Sequence, residues 1–306
     1  MKTPCKILKR LIVIAGPTAS GKTTLALQLA KALHAEIINA DSRQFYRQLN
    51  IGTAKPSQAE MNEVPHHFIN IKNPEEYYSA GEFEKDSISF LDSYFESNNT
   101  AIMVGGSGLY LKAVLEGFDD LPRDEVVRAK LNLKLKGEGL ESLQSYLVKQ
   151  DPVFAGTEDF NNPQRVVRAL EAMELTGKRW TDLRTNKTQE RNFTSYSFYL
   201  NPERQWLYQK ISERVDDMIN NGLEDEVKSL ISFRSHNALQ TVGYKECFDL
   251  FDGIYNRNEA IDKIKQHTRN YAKRQITWFK KQKGFIAIEN DAFANILKHL
   301  NKTSSV

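Results

Sequence analysis

Gly16-Pro17-Thr18-Ala19-Ser20-Gly21-Lys22-Thr23 fits the pattern G-x-x-x-x-G-K-[ST] at every fixed position. Chance gives about one such match per hundred chains of this length. The setting narrows it further. Residues 11–15, Leu-Ile-Val-Ile-Ala, form a short β-branched apolar run, which predicts a buried parallel strand. Residues 21–34 carry Leu25, Leu29 and Leu33 at helical spacing, which predicts a helix directly after the motif. Strand, glycine-framed turn and helix in that order make a phosphate cradle. The glycines permit a tight turn with inward N–H groups, and the helix N-terminus adds partial positive charge. Lys22 is placed to reach terminal phosphates, and the Thr23 hydroxyl to ligate Mg²⁺. Such a loop holds a di- or triphosphate without naming the reaction. ATP or GTP is the commonest occupant, so nucleotide binding and phosphoryl transfer are the first expectation.

The rest of the chain extends this pattern. Residues 36–40, 68–71 and 100–104 read as further strands, and 83–96 as an amphipathic helix. Strands that alternate with helices and end in glycines predict an α/β fold, a P-loop NTPase-like parallel sheet flanked by helices. Ligands of such sheets bind beyond the strand C-termini, where Gly16, Asp41 and Gly105 fall. After Gly117, residues 124–136, 140–150 and 163–176 read as helices with no convincing strand between them. They predict a mostly helical insertion over about 118–194. The core is then 1–117 plus about 195–306. Its second half carries a strand at 197–200, helices at 203–220 and 223–233, and a long helix at 258–281. Asn258 is the candidate N-cap of that helix. A strand at 285–288 closes the set, and residues 302–306 are expected to fray.

Composition excludes several classes. Of 306 residues, 40% are hydrophobic and 26% charged, which rules out a mostly disordered chain. No apolar run approaches the ~20 residues of a membrane span, so no membrane partner is expected. Met1-Lys2-Thr3-Pro4-Cys5 is not followed by a signal-peptide apolar region. Cys5 and Cys247 are the only cysteines, which argues against a disulfide scaffold or zinc ribbon and for a reducing cytoplasm. His66 and His67 are adjacent and would face opposite sides of a strand, so joint metal ligation is not expected. The net charge of +3 says little, but its distribution matters. Residues 263–283 hold eight basic side chains and no acid. Lys265, Arg269 and Lys273 recur at i+4, while Ile261, Ile264, Tyr271 and Trp278 make an apolar stripe. That predicts a packed helix with a cationic face for RNA phosphates. The competing reading is a solvated charged face, which normally mixes signs.

Further motifs follow the loop. They are Asp41-Ser42-Arg43-Gln44-Phe45-Tyr46, Gly52-Thr53-Ala54-Lys55-Pro56, Pro65-His66-His67-Phe68-Ile69-Asn70 and Tyr78-Ser79-Ala80-Gly81-Glu82-Phe83. Then come Gly105-Gly106-Ser107-Gly108-Leu109-Tyr110, the run from Asn162 to Glu171, Val242-Gly243-Tyr244-Lys245-Glu246, and the run from Tyr271 to Phe279. In this order the chain closely resembles the tRNA dimethylallyltransferases (tRNA isopentenyltransferases) of bacterial type, from about residue 11 to about 285. The resemblance implies transfer of a dimethylallyl group from dimethylallyl diphosphate to N6 of adenosine 37. That base is 3′-adjacent to the anticodon in tRNAs reading codons that begin with U. The P-loop would then hold the donor's diphosphate. Mg²⁺ is the implied cofactor, the tRNA anticodon stem-loop the implied partner, and a monomer is adequate.

The resemblance also distributes roles. Adenine N6 is a poor nucleophile, so a base that takes its proton helps, and Asp41 matches the family's catalytic aspartate. Asp41 as a Mg²⁺ ligand or helix cap is the other reading. Lys22, Thr23 and, by the resemblance, Arg214 stabilise the departing diphosphate. Arg214 as a solvated helix arginine is the alternative. Ser107 stands where many members have threonine; either supplies one hydroxyl, and a plain turn residue is the other reading. A flipped adenosine is expected against Asp41, Ser42, Arg43, Gln44 and Ser107, with Arg43 and Gln44 donating to base edges or phosphates. Arg128, Gln164, Arg165, Val166, Val167 and Arg168 are expected along the stem-loop. The same applies to Gln240, Thr241, Val242, Gly243, Tyr244, Lys245, Lys273, Arg274, Gln275, Trp278 and Lys280. Two other functions compete. A P-loop kinase for a small metabolite would release ADP, and an RNA-binding NTPase switch would leave the RNA unmodified. Both explain the P-loop and leave the other motifs unassigned.

Overall fold

The structure, a computed structural model, describes residues 9–185 and 187–303. Residues Met1 to Cys5 and Ser304 to Val306, named above, lie outside the described residues. In chain order the elements are β1 (Arg10–Ala15), α1 (Lys22–Leu33), β2 (Glu36–Asn39), α2 (Gln58–Glu63), β3 (His66–His67), α3 (Ala80–Tyr94), β4 (Thr100–Gly105) and α4 (Gly108–Glu116). Next come α5 (Glu125–Glu138), α6 (Leu140–Gln150), α7 (Pro152–Ala155), α8 (Pro163–Thr176) and α9 (Trp180–Leu183). The chain ends with β5 (Thr194–Leu200), α10 (Arg204–Asn220), α11 (Leu223–Ser229), α12 (Tyr244–Phe251), α13 (Arg257–Lys280), β6 (Phe285–Ile288) and α14 (Ala292–Thr303).

The six strands form one sheet in the order β3-β2-β4-β1-β5-β6, and every pairing is parallel. The apolar runs have no polar alternation because both faces are covered. Leu11, Val13, Ala101 and Met103 pack on one face with Phe83, Leu91 and Phe279 of α3 and α13. Ile12, Ile14, Ile102 and Val104 pack on the other with Leu25 and Leu29 of α1 and Ile296 and Leu300 of α14. Parallel pairing puts the C-terminal ends of β1, β2 and β4 on one edge. The phosphate loop, Asp41 and Ser107 follow those three strands directly.

The chain divides into two compact units, Met1–Leu115 with Glu190–Val306, and Glu116–Gln189. The second unit is built from α5 to α9. Leu131, Leu143, Leu147, Phe154, Val166, Val167, Leu170 and Trp180 form its core.

Four expectations are corrected. The third strand is His66–His67, not 68–71, because Phe68 (φ 61°) and Asn70 (φ 58°) take left-handed backbone that no strand admits. The long helix is capped by Asn256, not Asn258. The Asn256 Oδ1 accepts from Glu259 N at 3.0 Å and Glu259 Oε2 accepts from Asn256 N at 2.8 Å, a reciprocal capping box. Residues 223–233 are α11 followed by a separate 3₁₀ turn, Ile231–Phe233. Lys302 and Thr303 are not frayed; they end α14, whose apolar face lies on the sheet. Sequence reading also missed α2, α4, α7, α9, α12 and α14.

Candidate active site

The loop after β1 turns through two left-handed residues, Ala19 (φ 60°) and Gly21 (φ 83°). Gly21 caps α1 without a side-chain bond, so that helix N-terminus offers its own N–H groups to an anion. Ser20 Oγ is buried and has no protein hydrogen-bond partner. The Thr18 N–H is not part of the cradle: it donates to Gln275 Oε1 of α13 at 2.9 Å. Lys22 Nζ donates to Pro17 O at 2.7 Å. Burial pushes the Lys22 ammonium down to about 8, Asp41 works against that shift, and Arg214 adds to it. Those causes place Lys22, Asp41 and Arg214 in one electrostatic cluster.

Asp41 sits just past β2 in a tight turn. Its Oδ1 accepts from Arg43 N at 3.0 Å, and its carbonyl accepts from Gln44 N at 3.1 Å. Ser107, past β4, locks the same turn. Its Oγ accepts from Ser42 N at 3.0 Å and donates to Ser42 Oγ at 3.2 Å. Tyr271 of α13 hydrogen-bonds Ser107, and burial, with Asp41 nearby, pushes its phenol up to about 12. Arg214 projects from α10, and its Nη2 donates to Thr53 O at 3.3 Å. Burial lowers its pKa and Asp41 opposes that. Asp41, Arg214 and Tyr271 line one cleft of about 630 Å³, together with Thr18, Ser42, Arg43, Gln240, Thr241, Val242, Gly243, Lys245 and Arg274.

Other expected contacts are corrected. Gln44 is buried and spends its amide donors on Thr53 O and Ala54 O, at 3.0 and 3.2 Å, so those donors are not turned to a ligand. Arg43 Nη1 is engaged by Asn237 O at 2.7 Å and Asn237 Oδ1 at 3.0 Å. Tyr244 is fully buried, with its hydroxyl on Glu226 Oε1 at 2.6 Å. Gln275 is buried between the phosphate loop and Gly106 O, to which its Nε2 donates at 2.9 Å. Trp278 lies against Gly108, where an added Cβ would come 2.4 Å from its ring, and packs on the sheet's core. Tyr271 belongs to the cleft, not to an apolar stripe. The basic face is also shorter than expected. Lys265 pairs with Asp216 of α10 at 2.6 Å, and Arg269 lies over the Tyr208 ring. Lys273, Arg274 and Lys280 remain exposed on α13.

In the second unit Val166 and Val167 are buried in the core, so their side chains meet no ligand. Arg128 and Arg168 both bind the buried Glu171, Arg168 Nη1 at 2.8 Å, and Asp124 N donates to Glu171 Oε1 at 3.0 Å. Arg165 pairs with Asp159, and Gln164 is exposed. The arginines therefore brace the unit. Burial works to raise the Glu171 carboxyl, but the bonds from Arg128, Arg168 and the Asp124 N–H outweigh it, and the net shift is downward. A lowered carboxyl stabilises the fold above its unfolded value and loses that contribution as pH falls through the still lower folded value. Glu171→Ala strands two half-buried arginines and is expected to cost about 3 kcal/mol, read as a lower urea midpoint above pH 5. The difference from the unsubstituted chain should shrink as the medium is acidified below pH 4; a constant difference would disprove the ionic role.

Among the described residues, no group of three or more His, Cys, Asp or Glu could hold a metal, and no helix is long and apolar enough to cross a membrane. His66 Nδ1 and His67 Nε2 are bonded to Val64 O and Glu36 Oε2, at 2.8 and 2.6 Å.

Known proteins supply an independent comparison. The sequence matches the family model for IPP transferases over residues 44–282. A tRNA dimethylallyltransferase of Christiangramia forsetii is 46% identical over 272 residues, which cover 89% of this chain and 90% of that protein. One of Cytophaga hutchinsonii is 45% identical over 276 residues, covering 90% and 91%. The fold matches the tRNA isopentenylpyrophosphate transferase of Bacillus halodurans with a TM-score of 0.71 at 37% identity, covering 97% of this chain and 96% of that one. A eukaryotic dimethylallyltransferase acting on tRNA matches with a TM-score of 0.82 at 28% identity, covering 97% and 80%. On the family match and on identities of 45–46% over about nine-tenths of the chain, the chain belongs to the IPP transferase family, that of the tRNA dimethylallyltransferases.

Proposed function

We propose that the chain transfers the dimethylallyl group of dimethylallyl diphosphate to N6 of adenosine 37 in tRNAs that read codons beginning with U, releasing diphosphate. The observation that carries this reading is convergence. Asp41 after β2 and Arg214 from α10 line one cleft at the strand C-terminal edge, and both act electrostatically on the buried Lys22 after β1. A base and two cations are what the reaction asks for. The C–N bond forms as the C–O bond to diphosphate breaks, the N6 proton passes to Asp41, and Lys22 and Arg214 take up charge developing on the leaving oxygen. Buried surroundings strengthen both effects. Ser107 fixes the Asp41 turn and leaves that carboxylate aimed into the cleft.

Mg²⁺ fits the residues present. Thr23 supplies a hard hydroxyl oxygen in the first turn of α1 beside the cradle, which suits an ion that takes one or two protein ligands plus phosphate oxygens and water. Held there, it would neutralise charge on the leaving diphosphate. The tRNA stem-loop would meet the exposed Lys273, Arg274 and Lys280 of α13 and, on the second unit, Gln164. A tRNA substrate supports a cytoplasmic location, and all residues that line the cleft come from one copy of the chain.

Two measurements test the proposal. Unmodified tRNA is incubated with enzyme, Mg²⁺ and dimethylallyl diphosphate, without ATP, and its nucleosides are read by mass spectrometry. A new N6-dimethylallyladenosine peak is expected. Its absence, with ADP release once ATP and a small acceptor are supplied, would make the loop a kinase loop. The second measurement is the salt dependence of tRNA affinity. Lys273→Ala is expected to reduce the slope of log K against log salt by about one counterion; an unchanged slope removes Lys273 from the interface.

A further inference from the structure

The segment from Asn50 to Lys55, which runs into the G-T-A-K-P motif, lies outside every sheet and helix, yet Gly52 and Thr53 line the cleft. Its first three N–H groups are gathered by one side chain. Glu226 of α11 accepts from Asn50 N at 3.0 Å and Ile51 N at 2.8 Å through Oε2, and from Gly52 N at 3.1 Å through Oε1. The Tyr244 hydroxyl of α12 adds a fourth donor at 2.6 Å. Three consecutive N–H groups and a phenol on one carboxylate make a charge-assisted clamp. The fit is close: a Cβ at Gly52 would lie 2.5 Å from the Tyr244 ring.

The clamp leads to the reacting centre. One residue further along, Thr53 O accepts from Arg214 Nη2 at 3.3 Å and from Gln44 Nε2 at 3.0 Å. The far end is tied by Lys55 Nζ to Tyr46 O at 2.7 Å, Asn50 Oδ1 at 3.0 Å and Asn70 Oδ1 at 2.6 Å. The Arg214 guanidinium has no ion pair within contact distance among the described residues, so its aim depends on this carbonyl.

We propose that Glu226 is a positioning residue for the transfer reaction. By holding the N–H groups of residues 50–52 it fixes the Thr53 carbonyl, which orients Arg214 toward the leaving diphosphate. This rests on the reading of Arg214 as a diphosphate cation. A carboxylate suits the task because it only accepts; a glutamine would turn an N–H against one of the backbone N–H groups.

The test is a double-mutant cycle on the full chain, with kcat and both KM values read by dimethylallyladenosine formation and Tm read in parallel. Glu226→Gln alone is expected to lower kcat about tenfold or more, since a misplacement near 1 Å can cost about a hundredfold. The KM for tRNA should stay within about twofold. In the Arg214→Ala background, Glu226→Gln should lower kcat no further. An equal fold-loss in both backgrounds would overturn the proposal, because a purely structural Glu226 acts regardless of Arg214. So would full kcat in Glu226→Gln. Normal kcat in Arg214→Ala alone would overturn the diphosphate role of Arg214 and this proposal with it. Tyr244→Phe removes one donor and keeps the ring; if Glu226→Gln does not fold, the same cycle with Tyr244→Phe decides by the same criterion, with a smaller loss expected.

Discussion

Asp41→Ala lowers turnover by about 10²–10⁴-fold, the range for removal of a positioned general base, while tRNA affinity stays within about twofold. The Asp41 carboxylate is held by Arg43 N and lies in the same cluster as Lys22 and Arg214. It thus stands beside the phosphate cradle without belonging to it. A residue placed there touches the acceptor's reacting nitrogen and little of the rest of the RNA. Single-turnover rates and filter binding on the same preparation separate the two effects. The reading of Asp41 as a Mg²⁺ ligand makes a different forecast: excess Mg²⁺ would restore the rate of Asp41→Ala. Full turnover without added Mg²⁺ would exclude both roles.

Lys22→Ala weakens donor binding and turnover together, with kcat down by about 10²–10³-fold as for other lost leaving-group donors. Lys22 also carries a pH signature. Burial holds its ammonium down to about 8, so the side chain is charged below that pH and progressively neutral above it. A bound diphosphate favours the charged form. Donor affinity is therefore full below about pH 8 and falls as pH rises beyond it, with a proton taken up on binding. Lys22→Arg keeps its charge across that range and should lose the fall. Calorimetry of donor binding in both proteins between pH 7 and 9.5 makes the comparison, and the ligand's own titration cancels between them. Parallel curves would place the titration elsewhere.

The sheet was legible because its strands are apolar on both faces, a pattern local to each segment. The third strand misled for an equally local reason. Phe68 to Ile71 has strand-like side chains, but left-handed backbone at Phe68 and Asn70 turns the chain out of the sheet. Lys22, Asp41, Ser107 and Arg214 were reachable through motif and resemblance. What could not be read was the use of polar side chains by distant partners. Gln44, Tyr244 and Gln275 look like exposed readers of a ligand, yet each is buried and satisfied by backbone or carboxylate groups elsewhere in the chain. The charge of α13 misled similarly. It contains no acid between Lys263 and its end, but Asp216 of α10 and Glu246 of α12 supply acids to Lys265 and His267. Glu226, within an acidic stretch, gave no sign that it gathers a segment about 175 residues earlier.

Gln275 of α13 joins the phosphate loop to the chain just past β4. One end accepts from Thr18 of the phosphate loop, and the other donates to the carbonyl at the end of β4. Only an amide offers opposite polarities on a single carbon, so a glutamate there would oppose one acceptor with another. Lys273 and Arg274 precede it directly on the same helix, at about 1.5 Å of rise per residue. The side chain acts as a gauge block. On the proposed function, a nucleic acid seated on those two cations would be set at a fixed height above the prenyl donor's phosphates, with the gap between the two reactants machined into the helix before either arrives.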